Sequence, residues 1–387
     1  MLLILGWQMQ KVAIGWEIYE RTGSTRAIAI AGLIQFLPQV MFMLFAGHIT
    51  DRYNRKHVLM AALVCNALAA IGLAINSAFA GSIYVLYGCL FGYGTARAFI
   101  MPSRAAFLPG IIPLNRFSTA VSWNSSGFEI SSMAGPAIGG LLITFFLNPI
   151  LVYAINALGG LMFVVLLARI HYKHTPVPKE PLTLRSFLAG LGFVRKQKVV
   201  FAAMALDMFG VLLGGATALM PVYAKDILRI GPSGLGWLMS APAIGACGMA
   251  LFQAHRGPLR RAGRTLLIAV AGFGLVTIVF GVSKNFWLSM AMLCVMGSCD
   301  NISVVVRSTL VQVLTPDEMR GRVSALNSLF IGTSNELGAF ESGMVAHLFG
   351  PVFSVVSGGI GTLLIVLGIA WRSPQLRRFG RLDQAHR

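Results

Sequence analysis

Apolar residues run in long, nearly unbroken stretches separated by short polar gaps. Twelve stretches are predicted to be helical spans, near residues 2–22, 27–47, 57–77, 81–101, 118–147, 149–170, 199–224, 233–254, 265–283, 286–306, 323–349 and 351–371. About 20 apolar residues suffice to cross a bilayer as a helix. Spanning strands would need about 10 residues of alternating polarity, a pattern the chain does not show. Lipid offers the backbone no hydrogen-bond partners, so an all-α membrane bundle is expected.

Composition points the same way. The 387 residues are 56% hydrophobic and only 11% charged, against about 25% charged in soluble domains. The net charge of +18 would suit nucleic acid if the cations formed a face. They gather instead at the ends of the apolar stretches, so the bilayer is the expected partner and nucleic acid is not. The cations also take sides. The even-to-odd loops and the tail hold 24 of the 31 Lys and Arg residues, Arg104, Arg307, Arg320 and Arg322 among them, and the opposite loops hold 5. That asymmetry places both termini in the cytoplasm.

One polar connection is long: HYKHTPVPKEPLTLRSFLAGLGFVRKQK, residues 171–198. It reads as a cytoplasmic linker between two six-helix halves, 1–170 and 199–372, with a basic tail over 373–387. The first stretch has no basic leader, so a cleaved signal peptide is not expected. With only 16 residues ahead of Glu17, the first helix reads as shortened. Cys65, Cys89, Cys247, Cys294 and Cys299 all lie inside apolar stretches without CxxC spacing, and are expected to be small buried hydrophobes.

The halves repeat. GTARAFIMPSRAAFLPGIIP (94–113) aligns with GSCDNISVVVRSTLVQVLTP (297–316) at an offset of 203. Gly94 meets Gly297, Arg104 meets Arg307, Asn124 meets Asn327 and Gly135 meets Gly338. A duplicated six-helix unit is a transporter architecture, with the substrate path expected between the halves.

Two motifs stand out. In GHITDRYNRKHVL (47–59), Gly47 closes a span without a side chain, and Asp51 is an acceptor at a helix boundary. Arg52, Arg55 and Lys56 hold the loop inside. In SMAGPAIGG (132–140), Pro136 cannot donate to the carbonyl of Ser132 and should bend the helix. Gly135, Gly139 and Gly140 give a thin face for close packing.

On these residues the chain resembles the major facilitator superfamily. GHITDRYNRKHVL is similar to the family's loop between helices 2 and 3, and SMAGPAIGG to the helix 5 motif of proton-coupled exporters. RSTLVQVLTPDEMRGRVSALNSLFIGTSNELGAFESG (307–343) resembles the transmembrane secretion effector, or enterobactin-exporter-like, subgroup. The resemblance implies a cytoplasmic gate in which Asp51 docks on the start of helix 11, against Arg320 or Arg322. It also implies export by antiport. The chain departs once, with Asn54 where glycine is usual. Asn tolerates a left-handed backbone, so the turn is expected to survive.

Charges inside spans are costly and need partners or water. Lys11, Glu17, Arg97, Glu129, Asp207, Asp300, Glu336 and Glu341 are of this kind. Arg97 and Asp300 align at the 203 offset, and a pair between the halves would be a switchable latch. Asp207 has no basic residue within one turn. A carboxylate in a poorly hydrated cavity resists ionisation, which suits a proton carrier. Asp207 is ranked first for coupling, Asp300 second and Glu336 third. Glu129 has the alternative of pairing with Arg116 or Arg104, and Glu17 and Glu341 of lying near interfaces. Tryptophans fall mostly toward span ends, as an interfacial belt requires.

No GxSxG, HExxH or phosphate-binding glycine motif is present, and the scattered histidines suggest no metal site. The expectation is therefore not an enzyme. It is a monomeric secondary transporter of the bacterial inner membrane, without a cofactor, exporting a small hydrophobic or siderophore-like molecule on the proton gradient. A lipid or lysolipid translocator of the same fold is the nearest alternative. A non-transporting sensor or scaffold is the alternative from another class, and an inactive chain is a further one.

Overall fold

The computed structural model describes residues 1–172, 184–255 and 261–380, without the side chains at 44, 51, 114 and 184–189. These residues contain helices and no strand. Six long helices come first: α1 Leu2–Thr22, α2 Thr25–Arg52, α3 Arg55–Ala78, α4 Ile83–Phe107, α5 Phe117–Phe146 and α6 Ile150–Arg169. Then follow α7 Leu184–Lys196, α8 Lys198–Leu213, the single turn α9 Met220–Val222, α10 Gly231–His255, α11 Ala262–Val282, α12 Phe286–Leu314, α13 Asp317–Phe349, α14 Pro351–Arg372 and α15 Pro374–Arg378.

Twelve stretches thus become twelve long helical elements, and the chain is a multi-pass membrane protein. Among the described residues, ten elements are long and apolar enough to cross a bilayer. The other two, α1 and α13, carry charge that lowers their hydropathy: Lys11, Glu17, Glu20 and Arg21 in α1, and four charged residues in the first six of α13. Glu17 is not at a wet interface. It is 4% exposed, pairs with Arg21 at 2.5 Å and accepts from the Tyr153 hydroxyl at 2.5 Å.

Local signals explain the boundaries. Ser82 and Asn285 cap the starts of α4 and α12, each accepting from a backbone N–H two residues on. The two caps stand 203 residues apart, so the repeat extends to helix initiation. α1 stops at Gly23, whose φ of 59° is left-handed. The seventh span is not one helix. α8 ends at Leu213, and the chain passes Gly214 and Gly215 into 3₁₀, α and π turns through Ile227. The sequence shows one apolar run there because hydropathy does not register a break between glycines.

The chain forms two compact units: Met1–Leu182 with Ile230–Ser240, and Thr183–Arg229 with Ala241–Arg387. The first residues of α10, expected in the second half, thus group with unit 1. In unit 1, Leu59, Leu63, Tyr93, Ile100 and Leu167 form a core joining α3, α4 and α6. In unit 2, Ala203, Leu206, Leu266, Val306 and Leu310 join α8, α11 and α12. The polar connection 171–198 is more than a linker. Its second part is α7, whose Val194 packs with Val200, Val323 and Leu326. Leu376 of α15 is wholly buried and anchors α15 at the start of α11. The tail beyond 380 lies outside the described residues.

Candidate functional site

Unit 2 contains a buried ion pair. α8 supplies Asp207. α12 supplies Asp300, Ser303 and Arg307, spaced three, four and seven apart and therefore on one helical face. Arg307 Nη1 lies 2.5 Å from Asp207 Oδ2, with side chains only 3% and 6% exposed. The same nitrogen is 3.5 Å from Asn327 Oδ1 on α13. The assignment of Arg307 to a loop is overturned, since it lies within α12. Asp207 has no cation within a turn on its own helix, and α12 brings one across. Burial removes both charges from water, so the attraction holds only while both partners stay.

Asp300 is half-buried and close enough to feel both Arg307 and Asp207. With Asp207, Ser303, Val270 and Phe273 it lines a small cavity inside unit 2. α8 is held there by Thr362 of α14, whose hydroxyl donates to the Gly210 carbonyl at 3.1 Å.

Unit 1 answers the repeat differently. Arg104, also expected in a loop, lies in α4 and donates to Asn124 Oδ1. This matches the Arg307–Asn327 contact at the same offset. Arg97 lies over the rings of Trp7 and Tyr93, with centroids at 5.8 and 5.9 Å. Trp7 is 6% exposed, so it belongs to the interior rather than to an interfacial belt. Of the two residues expected to latch, Arg97 lies in unit 1 and Asp300 in unit 2. Glu129 is exposed and makes no ion pair among the described residues, since Arg104 turns to Asn124. Glu336 and Glu341 lie half-buried on α13.

The helix 5 glycines do not share one face. A Cβ on Gly135 or Gly139 would strike α1 at Gln8 or Met9, whereas one on Gly140 would strike Pro232 and Gly236 of α10. Gly236 returns the contact against Pro136 and Gly140. α5 runs through Pro136, and the N–H of Ala137 donates to Ser240 Oγ at 3.1 Å. The N–H next after Pro136 thus donates to a side chain of α10.

The loop at 47–59 differs from expectation in three ways. Gly47 does not close α2, which runs on to Arg52, and a Cβ there would meet nothing within 4 Å. Asn54 is not left-handed. Its φ is −61° and its side chain accepts from the Lys56 N–H, capping α3. Arg55 donates to the Ala106 carbonyl, and Lys56 to those of Ala168 and Ile170. These two cations therefore cap the ends of α4 and α6. Arg52 is exposed at the end of α2. The Asp51 side chain lies outside the described residues. Arg320 and Arg322 lie within α13 rather than ahead of it. Arg320 pairs with Asp317 at 2.6 Å, largely exposed, and Arg322 donates to the Met319 sulfur.

A helical membrane protein with this repeat and a buried charge cluster is a transporter of the major facilitator type, not an enzyme, and comparison with known proteins agrees. Similar solved structures include the POT family transporter PepTSo, with a TM-score of 0.74, 13% identity and 97% of each chain covered. A bacterial homolog of the human lysosomal transporter Spinster has a TM-score of 0.71, 14% identity and 98% of each chain covered. A D-xylose-proton symporter has a TM-score of 0.70 and 15% identity, covering 95% of this chain and 94% of that one. The chain belongs to the transmembrane secretion effector family, whose sequence profile matches residues 1–387. It is 26% identical over 373 residues to the enterobactin exporter EntS of Shigella flexneri, covering 95% of this chain and 88% of the relative. An Escherichia coli O157:H7 enterobactin exporter EntS matches to the same extent.

Proposed function

We propose that the chain exports a small hydrophobic or siderophore-like molecule across the bacterial inner membrane by proton antiport, with both termini in the cytoplasm. The observation that carries the coupling is the Asp207–Arg307 pair at 2.5 Å, with Asp300 beside it. A proton arriving on Asp207 removes its negative charge and frees Arg307, which has Asn327 within reach. Protonation would then favour one packing of α8 against α12, and substrate the other. Family membership and the similarity to enterobactin exporters support export and the substrate class. The monomer is the working unit in this reading, with Asp51 as one side of the cytoplasmic gate.

Purified protein in proteoliposomes tests it, with enterobactin and a lipophilic dye as probes. Asp207→Asn should abolish transport driven by a pH gradient while the variant remains monodisperse. Coupled transport at the wild-type rate in that variant would sink the reading.

A further inference from the structure

The chain beyond α14 folds onto the start of α11. Leu376 of α15 is wholly buried and packs with Ala262 and Leu266. The Ala262 N–H donates to the Gly380 carbonyl at 3.1 Å. A Cβ on Gly263 would strike the Leu376 carbonyl, so the glycine is what lets α15 come this close. Main-chain contact thus brings Arg377 and Arg378 to the end of α11 where Arg261 and Arg264 stand. Arg372, the last residue of α14, adds a fifth cation next to α15.

All five arginines are exposed. α11, α14 and α15 contain no Asp or Glu, and none of the five side chains makes an ion pair among the described residues. Gathering like charges costs energy, and the elements that carry them supply no acid to offset it. The surface turns apolar at once. Arg264, Ile268 and Leu275 are spaced four and seven apart and share one face of α11. Ile268 is 72% exposed and Leu275 57%. Trp371 ends α14 at 84% exposure, as an aromatic at the membrane–water boundary does.

We propose that this end of unit 2 binds an anionic phospholipid of the surrounding bilayer. Its headgroup phosphate is held by Arg261, Arg264, Arg377 and Arg378, and an acyl chain lies along Ile268 and Leu275. Guanidinium forks match phosphate oxygens in pairs, and basic clusters at the ends of spanning helices recognise anionic headgroups. The occupant is an amphiphile because the arginines run directly into an exposed apolar stripe, which a soluble anion would leave bare. Its net charge is negative because a zwitterionic headgroup brings a cation of its own into a cluster of cations. The site does not depend on the transport reading.

The test is the thermal midpoint of the full-length purified protein in detergent. It is titrated with phosphatidylglycerol, with phosphatidylcholine of the same acyl chains, and with inorganic phosphate. A saturable rise with phosphatidylglycerol alone is expected, weakening as sodium chloride is raised. Arg377→Gln with Arg378→Gln should raise the half-saturating lipid concentration roughly tenfold, and so should Arg261→Gln with Arg264→Gln. The two pairs lie on different elements, so one keeps the test informative if the other folds poorly. Arg116→Gln with Arg169→Gln removes two exposed cations from unit 1 and should leave the titration unchanged. An equal rise with phosphatidylcholine, no rise with phosphatidylglycerol, or unchanged affinity in both arginine variants overturns the site. An equal loss in the unit 1 variant also overturns it, by showing a diffuse effect of charge. The same rise with inorganic phosphate overturns the lipid as its occupant.

Discussion

Arg307 holds Asp207 at 2.5 Å in the interior of unit 2. At the offset of 203 the position matching Asp207 is Ile4, which is apolar and buried. The position matching Asp300 is a second arginine, Arg97. The repeat therefore conserves the Arg–Asn contact, Arg104 to Asn124 and Arg307 to Asn327, while only unit 2 adds acids to it.

Removing Arg307 alone strands the buried Asp207 carboxylate without its partner. Arg307→Ala should lower stability by about 3–5 kcal/mol, the usual loss when one partner of a buried pair is deleted. Asp207→Asn combined with Arg307→Gln should recover most of it, because no charge is then stranded. Thermal unfolding of the purified variants gives the comparison. Equal damage in the single and double variants would contradict the pairing.

Ser240→Ala should cost about 1–2 kcal/mol, since it removes the oxygen that accepts from the Ala137 N–H. Ser240→Thr keeps the oxygen and should cost less. Hydrogen exchange at the Ala137 amide reports this directly: protection should fall in the alanine variant and persist in the threonine variant.

Glycines on one helix should separate by what faces them. A Cβ at Gly94 would collide with the backbone of Gln35, while one at Gly88 meets nothing within 4 Å. Gly94→Ala should destabilise by about 1–3 kcal/mol through overpacking. Gly88→Ala should stabilise by about 0.5–1 kcal/mol through helix propensity. Similar unfolding midpoints for the two variants would show that α2 and α4 do not meet at Gly94.

Asn54→Ala should lose about 1 kcal/mol through the missing cap on α3, and Asn54→Gly only a few tenths. A left-handed backbone at this position would instead make glycine the better residue. Unfolding midpoints of the two variants distinguish the cases, with a gain in Asn54→Gly counting against the cap.

Much of the scaffold was legible. The apolar stretches located all twelve long elements because lipid burial demands about 20 consecutive apolar residues, and that demand is local. The offset of 203 anticipated paired features it had no means of explaining, such as the caps at Ser82 and Asn285. Errors arose where hydropathy is blind. Gly214 and Gly215 break the seventh span, and α7 lies inside a connection that reads as a linker. Arg104 and Arg307 were assigned to loops because a charged residue near a span end looks solvated until its partner is known. The glycines of the helix 5 motif looked alike in one dimension. Gly139 and Gly140 are adjacent, so a turn of about 100° per residue sends them to different neighbours.

By itself the sequence determined that this is a duplicated helical membrane protein of transporter type, with cations gathered at one set of span ends. Only the tertiary structure decided which charges are partners. Asp207 and Arg307 are 100 residues apart, and no periodicity links them. Their meeting depends on how Leu206, Val306 and Leu310 pack α8 against α12, and close packing is a property of facing surfaces that neither helix carries alone.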